Sequence, residues 1–146
     1  MRLLGNVIFM MVFSVLIQYY AMSRIMTNDV ANIRNSLGKF YISGIMATFM
    51  GLVEVLMHDS YMGKFSFKYY LFLLPLLGIL YYMYRKQQYI YDGEYLNEMI
   101  EHHSMAIFTS EEILKKTHSP DIKILASKIK NTQELEIQHM KTLLEN

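Results

Sequence analysis

Residues 94–113 read EYLNEMIEHHSMAIFTSEEI, and residues 120–143 read PDIKILASKIKNTQELEIQHMKTL. In the first run Leu96, Met99, His103, Ala106, Ser110 and Ile113 recur at alternating threes and fours, which puts them on one helical face. In the second, Ile122, Ala126, Ile129, Gln133, Glu136, Met140 and Leu143 repeat the spacing. Asp92 is placed to cap the first helix, with Glu94 near its positive end. Between the runs, residues 117–120 form a turn in which Ser119 suits an N-cap and Pro120 the first helical position. Lys141 complements the dipole of the second helix. The expectation is an antiparallel helical hairpin over residues 90–146.

Working outward, residues 1–89 have a different character. Residues 3–22 carry no charge and are about as long as a bilayer requires. Residues 40–57 are interrupted only by Glu54, and residues 67–84 carry Lys68 at one edge. Tyr69 and Tyr70 at one end of this third run, and Tyr81, Tyr82 and Tyr84 at the other, suit two water interfaces. Pro75 and Gly78 are tolerated inside a membrane helix. Three transmembrane helices are therefore expected. The first is read as an uncleaved span, because only Arg2 precedes it and no small-x-small cleavage pattern occurs before Ser23. The alternative, three buried helices of a soluble bundle, leaves too little polar sequence to cover them.

The composition bounds the function. Apolar residues make up 53% of the 146 residues and charged ones 18%, with a net charge of +1 and no cysteine. That balance gives no nucleic-acid footprint. It also excludes a disulfide framework, a zinc finger and thiol catalysis. The lipid bilayer is the first partner implied. One side of the membrane would hold Arg2, Lys64 and Lys68, and the other Arg24, Arg34, Lys39, Arg85 and Lys86. By the positive-inside rule the carboxy-terminal region would face the cytoplasm.

On the hairpin, metal-binding residue types occupy positions where core residues belong. Folding the chain at residue 118 sets Met99 and His103 opposite Gln133, Glu136 and Met140. A Glu on an apolar seam needs a partner, because burying it alone is costly. Thirteen Met and five His without thiolates form a soft donor set that suits copper before zinc. The candidate metal residues are Met99, His102, His103, Glu136, His139 and Met140, with Gln133 and Met105 secondary. Each has a plainer role available: Met99, Met105 and Met140 as core filler, Glu136 as the partner of a lysine, and His118 as a surface residue of the turn. His102 and His103 point about 100° apart on a helix, so only one of them faces the seam squarely.

Taken together, Asp92, Tyr95, Met99, Ile100, His102, His103 and Ala106, followed by Leu125, Ala126, Ile129, Gln133, Glu136, Ile137 and Met140, resemble the two-part motif of the domain of unknown function 305 family. Glu101 stands where that pattern has proline. The resemblance covers residues 90–145 and implies a ferritin-like helical bundle. It also implies copper binding through His and Met, as in some members, which help cells tolerate copper; many others have no assigned role. A subset carries membrane helices ahead of the domain, as this chain does. Members with secretion signals place the domain outside the cytoplasm, against the charge count.

The second span carries a stripe of its own, with Met46, Met50, Glu54, His58 and Met62 at four-residue steps. The first span offers Asn6, Met10, Ser14, Gln18 and Met22 at the same steps. Ser43, Ala47 and Gly51 would let helices approach closely. Packing is the favoured reading of this stripe, and a soft-metal path using Met50, Glu54 and His58 is the alternative, since a membrane carboxylate is a default functional candidate.

The expected architecture is thus all-α: three membrane helices, then a half-bundle hairpin completed by homodimerisation into four helices. The leading function is membrane-anchored binding of a copper ion for sequestration, tolerance or sensing. The first alternative is a di-iron carboxylate protein using Glu136-x-x-His139, with Glu98 or Glu101 as the opposing carboxylate and a ferroxidase activity. The second is a metal-free dimerisation module. No nucleophile and base pair is visible, so no enzyme is expected and no catalytic residue is assigned.

Overall fold

The computed structural model describes residues 2–145, and all regular structure among them is helical. Helix α1, Arg2–Leu16, continues through a π-helical turn at Ile17–Ala21 into the short α2, Met22–Met26. A single 3₁₀ turn, Val30–Asn32, leads to α3, Leu37–Met62, and α4 follows at Phe67–Arg85. The hairpin comprises α5, Asp92–Leu114, and α6, Pro120–Glu145. The chain divides into two compact units.

The first unit contains the residues up to Ala21 and Gly38–Tyr89. Its three long helices, Leu3–Met26 (shared with the second unit from Met22), Leu37–Met62 and Phe67–Arg85, are each long and apolar enough to cross a membrane. The central one is α3, whose buried residues include Ser43, Ala47, Thr48 and Gly51. Their small size sets the packing distance: a Cβ on Gly51 would lie 3.0 Å from Met11, and one on Gly44 3.1 Å from Leu80. Val7, Val55 and Leu73 form the core between the three helices, flanked by Met11, Leu52, Tyr69 and Tyr70. The outward residues, such as Phe9, Phe49, Leu71 and Phe72, are large, apolar and exposed, as a lipid-facing surface requires.

Polar groups in this unit are paired across the helices. Asn6 donates from Nδ2 to Glu54 Oε1 at 3.0 Å, joining α1 to α3. At the short α3–α4 connection, Asp59 accepts from the Ser66 backbone N–H at 2.8 Å, from Ser66 Oγ at 2.6 Å and from the Tyr70 hydroxyl at 3.2 Å. His58 Nδ1 lies 3.3 Å from the same carboxylate. At the other end of α4, the chain turns through Gln87 and Tyr89, both with positive φ, and the Tyr41 hydroxyl donates to the Gln88 carbonyl at 2.9 Å.

The second unit joins Met22–Leu37 to the residues from Ile90 onward. Met22–Leu37, which falls within residues 1–89 of the expected membrane half, belongs to this unit and lies against α5. Three side chains of α5 hold this strap. Glu101 is buried and accepts from Ser23 Oγ at 2.6 Å and from the Arg34 backbone N–H at 2.8 Å. Ser104, also buried, donates to Asn28 Oδ1 at 2.6 Å and accepts from the Asn28 N–H at 3.2 Å. Glu94 accepts from the Leu37 N–H at 2.6 Å, satisfying an orphan donor at the start of α3. Glu98, between Glu94 and Glu101, has its carboxyl pushed above the usual range by burial and then by those two charges.

Within the hairpin, Ile100, Ile107, Ile137 and Met140 form the core, with Leu96, Met99 and Leu144 packed against it. The α6 start follows the sequence: Ser119 Oγ accepts from the Ile122 N–H at 3.5 Å, with Pro120 at the first helical position. At the start of α5 the cap position belongs to Tyr91, with extended backbone. Asp92 is the first helical residue and meets the dipole from inside the first turn.

Candidate metal centre

His103 and Glu136 meet across the α5–α6 seam. His103 Nε2 lies 2.8 Å from Glu136 Oε2, a charge-assisted hydrogen-bond length. The imidazole is 12% exposed and the carboxylate 48%, so the pair runs from the core edge to solvent. The other ring nitrogen, His103 Nδ1, is buried and has no hydrogen-bond partner. A buried polar atom in that state is costly and calls for a physical account.

Two methionines share the seam. Met99 precedes His103 by one turn of α5, and Met140 follows Glu136 by one turn of α6. Met140 is a core residue and Met99 packs against the same apolar cluster. The fold therefore brings four of the expected residues, Met99, His103, Glu136 and Met140, to one seam. Gln133 and Met105 are half-buried.

The remaining histidines sit elsewhere. His102 is exposed, with its ring 6.2 Å edge-on from that of His103. His139 and His118 are exposed on α6 and in the turn. The carboxylates of the di-iron set are not gathered: Glu101 is occupied by the strap, and Glu136 by His103. Among the described residues no three His, Asp or Glu side chains form a group that could hold a metal ion. Thioether sulfur is the further donor type on this seam, and one imidazole with thioethers is a donor set for cuprous rather than harder ions. The orphaned Nδ1 is a lone pair for which such an ion would be a partner.

In the long apolar helices the stripe does not form a continuous lining. Glu54 pairs with Asn6 and His58 with Asp59, while Met50 is half-buried and Met46 and Met62 are exposed. The Asn6–Glu54 contact joins two helices, and the His58–Asp59 contact lies within α3.

Sequence reasoning missed the Glu94–Glu101–Ser104 face of α5 and the Asp59 clip. The first carries a signal: Glu94, Asn97, Glu101 and Ser104 lie on a second polar face of α5, away from the seam. The second carries a weaker one, an acid seven residues ahead of Ser66.

Toward the turn, the hairpin leaves an open apolar groove of about 250 Å³ lined by Thr109, Ser110, Ile113, Ile122, Leu125, Ala126 and Ile129. Ion pairs stand near it on the helix surfaces: Lys130 lies 2.9 Å from Glu111 and 3.7 Å from Glu134. The Lys130 ammonium is held above its usual range first by its hydrogen bond to Glu111.

Residues 85–146 match the model of a family described as Domain of unknown function (DUF305). The chain is also 32% identical over 139 residues to a protein of Acanthamoeba polyphaga mimivirus described as uncharacterized, an alignment spanning 95% of this chain and 91% of that protein. No solved structure gives a significant match.

Proposed function

This chain belongs to the DUF305 family, and we propose that it is a multi-pass membrane protein whose hairpin binds cuprous copper for sequestration or tolerance. The observation that carries this reading is the buried, unpartnered His103 Nδ1 on a seam that also holds Met99 and Met140. An imidazole nitrogen and thioether sulfurs, screened from water, favour the cuprous ion and disfavour hard cations. The ion is cargo here. The chain's part is to supply soft donors in a half-apolar setting, on a helix pair anchored to the bilayer by three spans.

The same reading includes a homodimer. Two helices of this size bury little core alone. The groove between Ile113 and Ile122–Ile129 supports a second hairpin packing there to complete four helices.

The test is metal titration of the full chain in detergent, with elemental analysis. One cuprous ion per chain is expected, with affinity falling at least about tenfold in Met99→Leu/Met140→Leu, by analogy with loss of supporting groups around metals. Iron bound by the wild type and lost in His139→Ala, with no copper retained, would overturn the copper reading in favour of a carboxylate site. An intact dimer with no metal would leave the hairpin as an interaction module.

A further inference from the structure

We infer that Glu136 is a positioning residue rather than a metal ligand: it accepts the Nε2 proton of His103 and so presents Nδ1 as the nitrogen that takes the metal. This inference rests on the metal-binding reading above and goes further, in assigning which atom binds and what Glu136 does.

The geometry leads there in three steps. A neutral imidazole carries one N–H, and its other nitrogen is an acceptor. The 2.8 Å contact from Nε2 to a carboxylate, which only accepts when ionised, places that N–H on Nε2. Nδ1 is then a bare lone pair, and it is the buried, unpartnered one. A doubly protonated ring would leave a buried N–H without an acceptor at the same point, so the neutral tautomer is the one that fits.

Glu136 is the right residue to hold the ring. Nearly half exposed, its carboxylate keeps contact with water while its Oε2 stays within hydrogen-bond reach of the ring. As a ligand it would have to release His103 and turn inward. A metal-bound histidine commonly donates its second N–H to a carboxylate, which fixes the ring and raises its basicity. His102, exposed and edge-on at 6.2 Å, is not placed to share this role.

The experiment uses the full-length chain in detergent, uniformly labelled with ¹⁵N at histidine, with His103→Asn to assign its signals. Two-bond ¹H–¹⁵N correlation spectra without metal should show His103 protonated at Nε2 and bare at Nδ1, and addition of cuprous ion should shift the Nδ1 resonance. Cuprous affinity is measured in parallel for two variants. Glu136→Gln retains an acceptor and should stay within about threefold of wild type, whereas Glu136→Ala should lose about 10- to 100-fold at unchanged stoichiometry. A ring protonated at Nδ1, or a Glu136→Gln variant as weak as Glu136→Ala, would overturn the positioning role while copper binding itself stands. A wild type that binds no cuprous ion, whatever its tautomer, overturns both this inference and the function it rests on.

Discussion

Glu101 shows how one side chain gives a helix a second binding face. It stands where the motif this run resembles has proline, and on α5 it is helical without the kink proline imposes. Its carboxylate turns away from the His103 seam and binds Ser23 and the Arg34 N–H instead. A buried carboxylate with hydrogen-bond donors is stable in place; the same donors without it are left unsatisfied. Glu101→Ala should therefore loosen the strap by about 1–3 kcal/mol, a factor of roughly 5 to 150 in its opening equilibrium. Limited trypsin digestion in detergent is the measurement: cleavage after Arg24 and Arg34 should accelerate by that factor. Unchanged digestion would mean that Ser104 and Glu94 hold the strap without Glu101. His103, two residues on, faces the other way, so the variant should leave cuprous affinity unaltered.

At the scale of elements, the hairpin was legible because its signals are local. The three-and-four spacing, Ser119 and Pro120 each act within one turn of helix, and α6 begins where they indicate. The spans were legible for the same reason, although α3 extends beyond residues 40–57 to Leu37–Met62. The register was less so. A fold at residue 118 sets Gln133 level with His103, and of the expected partners Gln133, Glu136 and Met140 it is Glu136, three residues further on, that makes the contact. Side chains lean toward the amino end of their own helix. In an antiparallel pair that lean carries His103 toward later residues of α6, and Glu136 leans back to meet it. The strap was not legible, since its bonds join residues 57 to 78 positions apart and no periodicity marks them. The groove at the turn end yields a prediction at this scale. Ile122 and Leu125 are exposed beside it, and burying each fully is worth about 1.5–3 kcal/mol. Ile122→Asp/Leu125→Asp should convert a dimer to a monomer in light scattering of the detergent-solubilised chain. A wild type that is already monomeric would remove the dimer from the proposed function.

For the whole molecule, the proposed three-span topology fixes a relation that the charge count leaves open. With α3 and α4 as spans between them, the strap and the hairpin would emerge on one side of a bilayer, as their packing into one unit requires. The chain has no cysteine, so single cysteines report sidedness cleanly. Asn35→Cys and Asp121→Cys should react alike with a membrane-impermeant maleimide in sealed vesicles, and Lys64→Cys oppositely. Unlike reactivity at residues 35 and 121 would rule out the three-span topology. The strap also orders the events of synthesis. Its last residue, Leu37, leaves the ribosome about 55 residues before Asp92 begins the helix that receives it. At roughly 5–20 residues per second that is a wait of about 3 to 11 s, during which α3 and α4 are made. Ser23, Asn28 and the Arg34 amide have no α5 partner throughout that interval. Residues 90–146 produced alone would thus lack a part of their own fold that is translated first.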